Sequence, residues 1–552
     1  MNGILVEQIG SGRLSDIILS WSSSLYASRQ LIQQGRNCNP IPHSQADTLP
    51  NPSLHLAPGK NSNMDPTSSP DWRSPEAIQK WWSTPSQREI KRDYPPSTVV
   101  ALRDGLFEAH NRPAIKLRDI FARHQQCKSV HLVPSVIEPV SLQTISEVGF
   151  ETAYVSGGMA SMTDTATNDP TTDLSDYTYD TVPNKVASLY RSQLLHYRTA
   201  MARGDPNRAE ASIVPLIADG DSGAGLHTTV MKLTKLFVQS GVAGFHLDDL
   251  LSGAKRFDGH DGVGYVVVPL SEHVRRLKAA KLQLDVMGAE TVLIHRTDAM
   301  SATHITSTID PRDTPFILGA TVNMPTDLCE VESGPLRAQW KVDAKLATLE
   351  EAFASACPDL LPMLKTRIAG LNVSRALRVA QELYPDFFWT AESPRTAQGW
   401  YPFKGGIDCA ISRSLVCAPL VDMTWACVGS YDPKGASQIA AAVQEAYPGK
   451  WMAYNITGGF PEDGSRDDEV RALPESLASL GYVWQFLPIA GLTAVAVGVR
   501  SVGLEIKKDG LLGYLQSASR PAGRTGHPSA EWWWKDMARL TDMAADAIGE
   551  GL

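Results

Sequence analysis

The sequence predicts an α/β fold of the (β/α)8 TIM-barrel type, and three observations support that prediction. Short runs rich in β-branched and aromatic residues recur eight times after residue 130, most are followed by a stretch of helical periodicity, and no GxGxxG or Walker sequence is present. A doubly wound open sheet usually has fewer strands and a glycine-rich turn after the first one, so the repeated alternation favours the barrel. The runs lie at 130–136, 152–157, 212–219, 244–249, 291–298, 423–428, 450–457 and 483–491.

The segments between these runs have the pattern of helices. "GLHTTVMKLTKLFVQSG" (225–241) and "SEHVRRLKAAKLQLDVMG" (271–288) repeat apolar residues every three or four positions and end at glycine. The long interval between the fifth and sixth runs contains a helical stretch at 342–385, which predicts a small helical insertion. The expected divisions are a poorly ordered arm (1–70) rich in Pro, Ser and Asn, an N-terminal helical segment (71–129), the first part of the barrel (130–298), the insertion (299–401), and the last part of the barrel with the C-terminal helices (402–552).

Composition excludes several classes of function. A net charge of −9 over 552 residues gives no basic surface for nucleic acid or for an anionic membrane, and no apolar run approaches the length that spans a bilayer. The seven cysteines include no CxxC pair, which argues against a disulfide framework or a structural zinc site and indicates a reducing compartment. The expected location is the cytoplasm, with mitochondria as the alternative.

Acidic residues follow the third and fourth runs, where a barrel enzyme carries its chemistry. Asp219 and Asp221 lie two apart, and Asp248 and Asp249 follow the next run. Carboxylates without a soft ligand suit Mg²⁺, or alternatively Mn²⁺. Acids at strand ends also cap helices, and Arg296 in the fifth run suits either a substrate carboxylate or one of these aspartates, so both alternatives stay open.

Ordered blocks between about residues 75 and 535 resemble isocitrate lyase and its relative 2-methylisocitrate lyase, in the isocitrate lyase and phosphoenolpyruvate mutase superfamily. The insertion matches the eukaryotic branch, so the resemblance is to a divergent member of fungal type. The blocks include "YVSGG", "TVPNKV", "ADGDSGAG", "GFHLDD", "RTDAMSATHITSTID", "SPRTAQGWYPFKGG", "CAISRSLVCAPLVDMTWA", "AYNIT" and "WQFLPIAGL".

The resemblance implies a magnesium-dependent carbon–carbon lyase that splits a hydroxy-tricarboxylate into an oxo acid and a dicarboxylate. It also implies a homotetramer that exchanges helices near the C-terminus. The expected partner is therefore a small carboxylic acid rather than a nucleic acid or a membrane.

The family's metal site carries over residue by residue. Asp219 would bind magnesium, and Asp173, Asp221 and Asp248 would surround its waters. Asp248 stands where the family has a glutamate, one methylene longer.

The oxo-acid site carries over in the same way. Ser156, Gly157 and Arg296 would hold the carboxylate of the oxo acid, and Tyr154 would be a candidate for proton transfer.

The catalytic loop departs from the family. Residues 255–260 read KRFDGH where the family reads lysine, lysine, cysteine, glycine, histidine, so the position of the acid cysteine falls on Phe257 or Asp258. Asp258 could supply the proton if the closed loop raises its pKa, His260 is a second candidate, and Cys427 is a third.

The dicarboxylate pocket departs as well. The family's Asn-x-Ser-Pro-Ser cradle reads NITGG, which leaves Asn455 and Thr457. Pro488 replaces a threonine, Cys427 a glutamate and Gly158 a tryptophan, and a pocket that lacks these groups should bind isocitrate poorly. The sequence therefore predicts a divergent lyase acting on another 2-hydroxy or oxo acid. The alternatives are a hydrolase, or another reaction of the superfamily, on an oxo-diacid, and a catalytically silent paralogue.

Overall fold

The computed structural model describes residues 74–102, 111–130, 132–164, 175, 177–255, 265–332, 334–428, 431–458, 463–519 and 541. The arm expected at residues 1–70 lies outside these ranges.

Eight parallel strands form one sheet in the order β1-β13-β12-β11-β6-β4-β3-β2. A parallel bridge between Ser135 and Tyr154, with a 2.9 Å hydrogen bond from Val136 N to Tyr154 O, joins the two outer strands of that order and closes the barrel. All eight predicted strands are thereby confirmed. They are β1 (Leu132–Pro134), β2 (Ala153–Val155), β3 (Leu216–Asp219), β4 (Gly244–Leu247), β6 (Val292–Thr297), β11 (Met423–Ala426), β12 (Trp451–Asn455) and β13 (Tyr482–Leu487).

The barrel strands are buried on both faces, which explains why they read as almost continuous apolar runs. In β6, Ile294 packs in the cluster inside the barrel, whereas Leu293 packs in the cluster between the sheet and the outer helices. Side chains of one strand alternate between its faces, so Arg296 lies on the inner side and His295 on the outer side.

Helices surround the barrel and cover its apolar outer face. Both helices predicted from periodicity are confirmed as α8 and α9, and each ends at a glycine in the left-handed region, Gly241 (φ 86°) and Gly288 (φ 63°). No helix in the described ranges is long and apolar enough to cross a membrane. The helices before the insertion are α1 (Pro75–Trp82), α2 (Pro96–Leu102), α3 (Arg112–Cys127), α4 (Pro139–Val148), α5 (Gly157–Thr163), α6 (Thr181–Ala202), α7 (Pro206–Ser212), α8 (His227–Ser240) and α9 (Leu270–Met287).

The region at 299–401 contains four helices and pairs of very short strands. β10 and β5 flank β7 in a three-stranded sheet, and β8 pairs with β9. These strands were not predicted, because runs of two to four residues carry no periodic signal. β5 (Tyr265–Val267) precedes this region in the chain. The other elements are β7 (Ala302–Ile305), β8 (Leu318–Gly319), α10 (Gly334–Asp343), β9 (Ala347–Thr348), α11 (Leu349–Ala356), α12 (Leu361–Ile368), α13 (Val373–Leu383) and β10 (Tyr401–Pro402).

The chain then returns to the barrel through four more helices. They are α14 (Ile407–Cys417), α15 (Pro433–Ala446), α16 (Asp467–Ser479) and α17 (Ala490–Tyr514).

A buried arginine on α14 ties these parts together. Arg413 donates 2.9 Å and 2.7 Å hydrogen bonds to Asp249, just after β4, and to Asp313 in the insertion, and a 3.1 Å bond to the carbonyl of Val268. All three charged side chains are fully buried. Asp249 also accepts a 2.6 Å hydrogen bond from Thr297, so the ends of β4 and β6 are held at a fixed spacing.

Replacing Arg413 with methionine should lower the free energy of unfolding by about 3–5 kcal/mol, because it leaves two buried carboxylates without their cation. Urea unfolding followed by circular dichroism measures this. The matched control is Arg471→Met, at a surface pair with Asp468 whose arginine side chain is 72% exposed. The control should change stability by less than about 1 kcal/mol, and equal losses in the two variants would contradict the role given to Arg413.

Candidate active site

The carboxyl ends of the barrel strands surround a cavity of about 280 Å³. Asp219, Lys255 and Arg296 line it on the side of β3, β4 and β6. On the side of β11, β12, β13 and β2 its lining includes Met162, Val428, Gly458, Pro488 and Ile489. The cavity therefore has a charged side and a largely apolar side.

Asp219 is the last residue of β3 and is buried. Its Oδ2 accepts hydrogen bonds from Gly157 N (3.1 Å) and Tyr154 Oη (3.2 Å), and its Oδ1 accepts one from Asp221 N (2.9 Å). Burial opposes ionisation, but His246, Lys255 and Arg296 together hold the pKa of Asp219 below its usual range. Asp219 is therefore ionised at neutral pH, as a metal ligand must be.

Asp221 follows in a turn with a left-handed backbone (φ 44°). Its Oδ1 accepts 2.8 Å hydrogen bonds from Ser175 and from Lys255, and its Oδ2 accepts one from Tyr177. The cation of Lys255 is buried and committed to this carboxylate.

Asp248 is fully buried just beyond β4. Its Oδ1 accepts a 3.1 Å hydrogen bond from Leu250 N, whereas its Oδ2 has no hydrogen-bond partner in the described part of the chain. Burial raises the pKa of Asp248 well above its usual range, so a nearby cation would favour its ionised form. A buried carboxylate oxygen without a donor, next to a set of oxygen ligands without sulfur, fits a magnesium ion or its waters.

Arg296 pairs with an aspartate that the sequence reasoning did not single out. Asp298 accepts a 3.0 Å hydrogen bond from the Arg296 guanidinium, whose Nε lies 2.9 Å from the other carboxylate oxygen. The guanidinium carbon lies 4.6 Å from the ring centre of Trp425, and Arg296 lines the cavity. Asp219, one of the aspartates predicted as a partner, lies 3.8 Å from Arg296 Nη1, farther than Asp298. The contact of Arg296 with a substrate carboxylate stays a prediction.

Tyr154 occupies the floor of the cavity beside a histidine that was also not foreseen. Its hydroxyl lies 2.9 Å from His246 Nε2, and the other ring nitrogen of His246 lies 3.6 Å from Asp219. Burial raises the pKa of Tyr154 well above its usual range, so the phenol keeps its proton at neutral pH. The adjacent order of β3 and β4, with Asp219 paired to His246 in the register, brings the three groups together.

Ser156 and Gly157 begin α5 at the edge of the cavity. Ser156 lines the cavity and caps the helix by accepting a 3.4 Å hydrogen bond from Met159 N. Gly157 donates its N–H to Asp219. Their predicted contact with a carboxylate remains untested.

The side-chain amide of Asn455 makes all of its hydrogen bonds with protein groups. Its amide accepts hydrogen bonds from Trp425 (2.9 Å) and Val428 N (3.2 Å) and donates 2.8 Å bonds to Val428 O and Thr457. Thr457 and Cys427 line the cavity, and burial raises the pKa of the Cys427 thiol, so it stays protonated. The side chains of Thr457 and Cys427 can therefore hydrogen-bond a molecule in the cavity, whereas the Asn455 amide already has protein partners.

Three predicted residues, Asp173, Asp258 and His260, lie outside the described residues. Lys255, His246 and Asp298 were missed as site residues. Their motifs were visible in the blocks "GFHLDD", "AKRF" and "RTDAM", but the contacts between different strands that give them a role were not.

A sequence profile of the isocitrate lyase family matches residues 74–532. Mitochondrial 2-methylisocitrate lyase of Schizosaccharomyces pombe is 36% identical over 474 residues, covering 81% of this chain and 90% of that protein. Isocitrate lyase of Oryza sativa subsp. japonica is 35% identical over 526 residues, covering 86% and 90%. Among solved structures, oxaloacetate acetylhydrolase in complex with the product oxalate superposes with a TM-score of 0.42 and 17% identity, over 81% of this chain and 100% of that one.

Replacing Gly157 with alanine should weaken Mg²⁺ binding by about tenfold or more, because it displaces a neighbour of the metal-ligand candidate. An added Cβ would lie 2.5 Å from Tyr177 Oη and 2.7 Å from Asp219 Oδ2. Isothermal titration with Mg²⁺ measures the effect. Gly334→Ala is the control, since nothing lies within 4 Å of its added Cβ, and unchanged affinity in the Gly157 variant would remove Asp219 from the metal site.

Proposed function

The chain belongs to the isocitrate lyase family, and we propose that it is a divergent magnesium-dependent carbon–carbon lyase acting on a 2-hydroxy or oxo carboxylic acid other than isocitrate. The reaction is a retro-aldol or Claisen-type cleavage that releases an oxo acid such as glyoxylate or pyruvate, or the reverse addition. The observation that carries this proposal is the division of the cavity into a charged side and an apolar side.

A second carboxylate of the substrate would need hydrogen-bond donors or cations on the apolar side of the cavity. Pro488 has no backbone donor, Val428 and Ile489 offer no polar side-chain atom, and the Asn455 amide is committed to protein groups. Among the described residues, the Thr457 hydroxyl and the Cys427 thiol are the donors left on this side, so a second carboxylate buried there would be only partly paired. The part of the substrate beyond the scissile bond is therefore larger or less charged than the dicarboxylate arm of isocitrate.

The charged side suits the 2-hydroxy acid end. Asp219 would hold magnesium, with Asp221 and Asp248 around its waters, and the bound ion would polarise the hydroxyl and carboxylate oxygens of the substrate. Arg296, oriented by Asp298, would hold the carboxylate. Lys255 donates a hydrogen bond to Asp221 at the edge of the same site.

Cleavage requires two proton movements. A base takes the hydroxyl proton, the carbon–carbon bond breaks with its electron pair on the departing carbon, and an acid protonates that carbon. Tyr154, linked to His246 and Asp219, is the candidate for relaying the hydroxyl proton. Asp258, His260 and the Cys427 thiol are the candidates for the acid.

With Mg²⁺ present, at least one alkyl-substituted malate or other 2-hydroxy acid with fewer carboxylates than isocitrate should be cleaved with a kcat/KM about tenfold or more above that of isocitrate. Mass spectrometry for glyoxylate or pyruvate detects the product. Asp219→Asn should lower kcat by about 10²-fold or more, whereas the exposed control Asp468→Asn should not change it.

The other possible results with these substrates distinguish the alternative functions. Isocitrate as the best substrate would contradict the proposed specificity. Hydrolysis of an oxo-diacid would favour the hydrolase alternative, and neither turnover nor Mg²⁺ binding would favour a silent paralogue.

The homotetramer remains part of the proposal. The support is α17, whose exposed apolar side chains need a cover that the described residues of this chain do not supply. A second copy of the chain is the proposed cover. The side chains are Val495, Val497, Val499, Leu504, Ile506, Leu511, Leu512 and Tyr514. Location in the cytoplasm, or alternatively in mitochondria, stays a prediction from the sequence.

Light scattering after size-exclusion chromatography should give the mass of four chains for the full-length protein. Val499→Glu should shift the mass toward smaller species, because it places a charge in the proposed interface. Val342→Glu is the matched control, since both valines are 68% exposed, and it should leave the mass unchanged. A monomeric wild-type protein would exclude the assembly.

A further inference from the structure

We propose that His273, His295 and Cys417 form a binding site for a borderline-soft transition-metal ion, Zn²⁺ in the first place, in the layer between the barrel and its outer helices. This site is separate from the cavity, and the proposal does not depend on the proposed function.

Three different elements bring these side chains together. His273 lies in the first turn of α9, His295 on the outer face of β6, and Cys417 is the last residue of α14. One potential ligand atom from each lies within 4.8 Å of the other two, and all three residues are completely buried. Imidazole nitrogen and thiolate sulfur are the ligands that zinc prefers in proteins.

The hydrogen bonding of the two histidines leaves an acceptor without a donor. His273 Nε2 and His295 Nδ1 lie 2.8 Å apart, and the outer nitrogens, His273 Nδ1 and His295 Nε2, have no hydrogen-bond partner among the described residues. A neutral pair has two N–H groups, only one of which can lie between the rings. In either tautomer one outer nitrogen is a buried lone pair and the other a buried N–H, and neither has a partner, so the hydrogen bond between the rings does not satisfy this pair.

Both rings are in the state that binds metal. Burial lowers the pKa of His295 to about 4 and that of His273 well below its usual range, so both imidazoles are neutral at neutral pH. Burial raises the pKa of the Cys417 thiol, so the thiolate would form only together with the metal ion.

The charged residues around the His273, His295 and Cys417 cluster favour a bound group with one net positive charge. Arg276 and Arg312 also act on the cluster, but they are paired with Glu272 and Asp310. Asp249 and Asp313 share the single positive charge of Arg413, so one negative charge remains. A divalent ion bound to one thiolate adds one positive charge, which balances that remainder. Replacing the proton of the thiol by zinc therefore does not leave an uncompensated buried charge.

The distances allow an ion with small side-chain movements. Zinc bonds of about 2.0–2.1 Å to nitrogen and about 2.3 Å to sulfur place tetrahedral ligand atoms about 3.3–3.6 Å apart. The present separations of up to 4.8 Å need to close by about 1 Å, and the two bridging nitrogens need to open slightly. The described residues supply three ligands, which leaves the fourth position to a water. The bound ion would fasten β6 to α9 and α14.

The test uses the full-length protein produced with added zinc and dialysed, with metals measured by inductively coupled plasma mass spectrometry. Wild type should retain one zinc ion per chain, and Cys417→Ala should lose it. Cys409→Ala is the control, because Cys409 is also buried and lies on the same helix, and it should retain zinc.

A spectroscopic readout keeps the proposal testable if Cys417→Ala does not fold. Protein produced with Co²⁺ should show thiolate-to-cobalt charge-transfer absorption in wild type and in Cys409→Ala. Cobalt bound only by the carboxylates of the cavity would lack that band. Folded wild type with neither zinc nor the band, or zinc retained equally by folded Cys417→Ala, would overturn the site.

Discussion

The buried contact of Arg413 with Asp249 and Asp313 is the constraint on which the arrangement of the site depends. A buried ion pair contributes little net stability, but once formed it tolerates little displacement, because a buried charge without its partner is expensive. Asp249 shares its carboxylate with Thr297 and with the backbone N–H of Asp298. The spacing between the ends of β4 and β6 is therefore set from the outer side of the barrel. Asp248 precedes Asp249, and Asp298 follows Thr297. Because side chains alternate along an extended chain, those of Asp248 and Asp298 lie on the inner side of the barrel.

The sequence predicted what depends on local pattern. Eight strands could be recognised as short apolar runs, and two helices could be recognised from apolar residues at every third or fourth position before a glycine. The sheet of β10, β7 and β5 could not, since Tyr401–Pro402 gains its strand conformation from pairing with β7 rather than from its composition. The same limit applies to the site: Asp219 and Asp221 were recognisable as a spaced pair after a strand. The pairing of Arg296 with Asp298 and the saturation of the Asn455 amide depend on neighbouring strands and side-chain direction.

Successive side chains of β6 point to opposite faces of the barrel wall, so this strand contributes both to the cavity and to the proposed zinc site. Arg296 reaches the cavity, whereas His295 reaches the layer of helices and meets His273 there. The absence of a CxxC pair argued against a zinc site, but that argument applies only to ligands that are close in the sequence. Ligands from a strand and two helices leave no spacing signal, so only the folded arrangement brings them together.

Charge balance in the cavity limits what it can bind. Four carboxylates, those of Asp219, Asp221, Asp248 and Asp298, face two cations, Lys255 and Arg296, among the described residues. If all are ionised, two negative charges remain, and one magnesium ion cancels them. A tricarboxylate would then bring three negative charges to a site without a spare positive charge in its described part, next to a wall formed by residues such as Val428, Pro488 and Ile489. A substrate of the proposed kind, which binds through the metal and Arg296 and has a less charged remainder than isocitrate against that wall, meets both conditions. The electrostatics of the charged side and the composition of the apolar side therefore both support the proposed class of substrate.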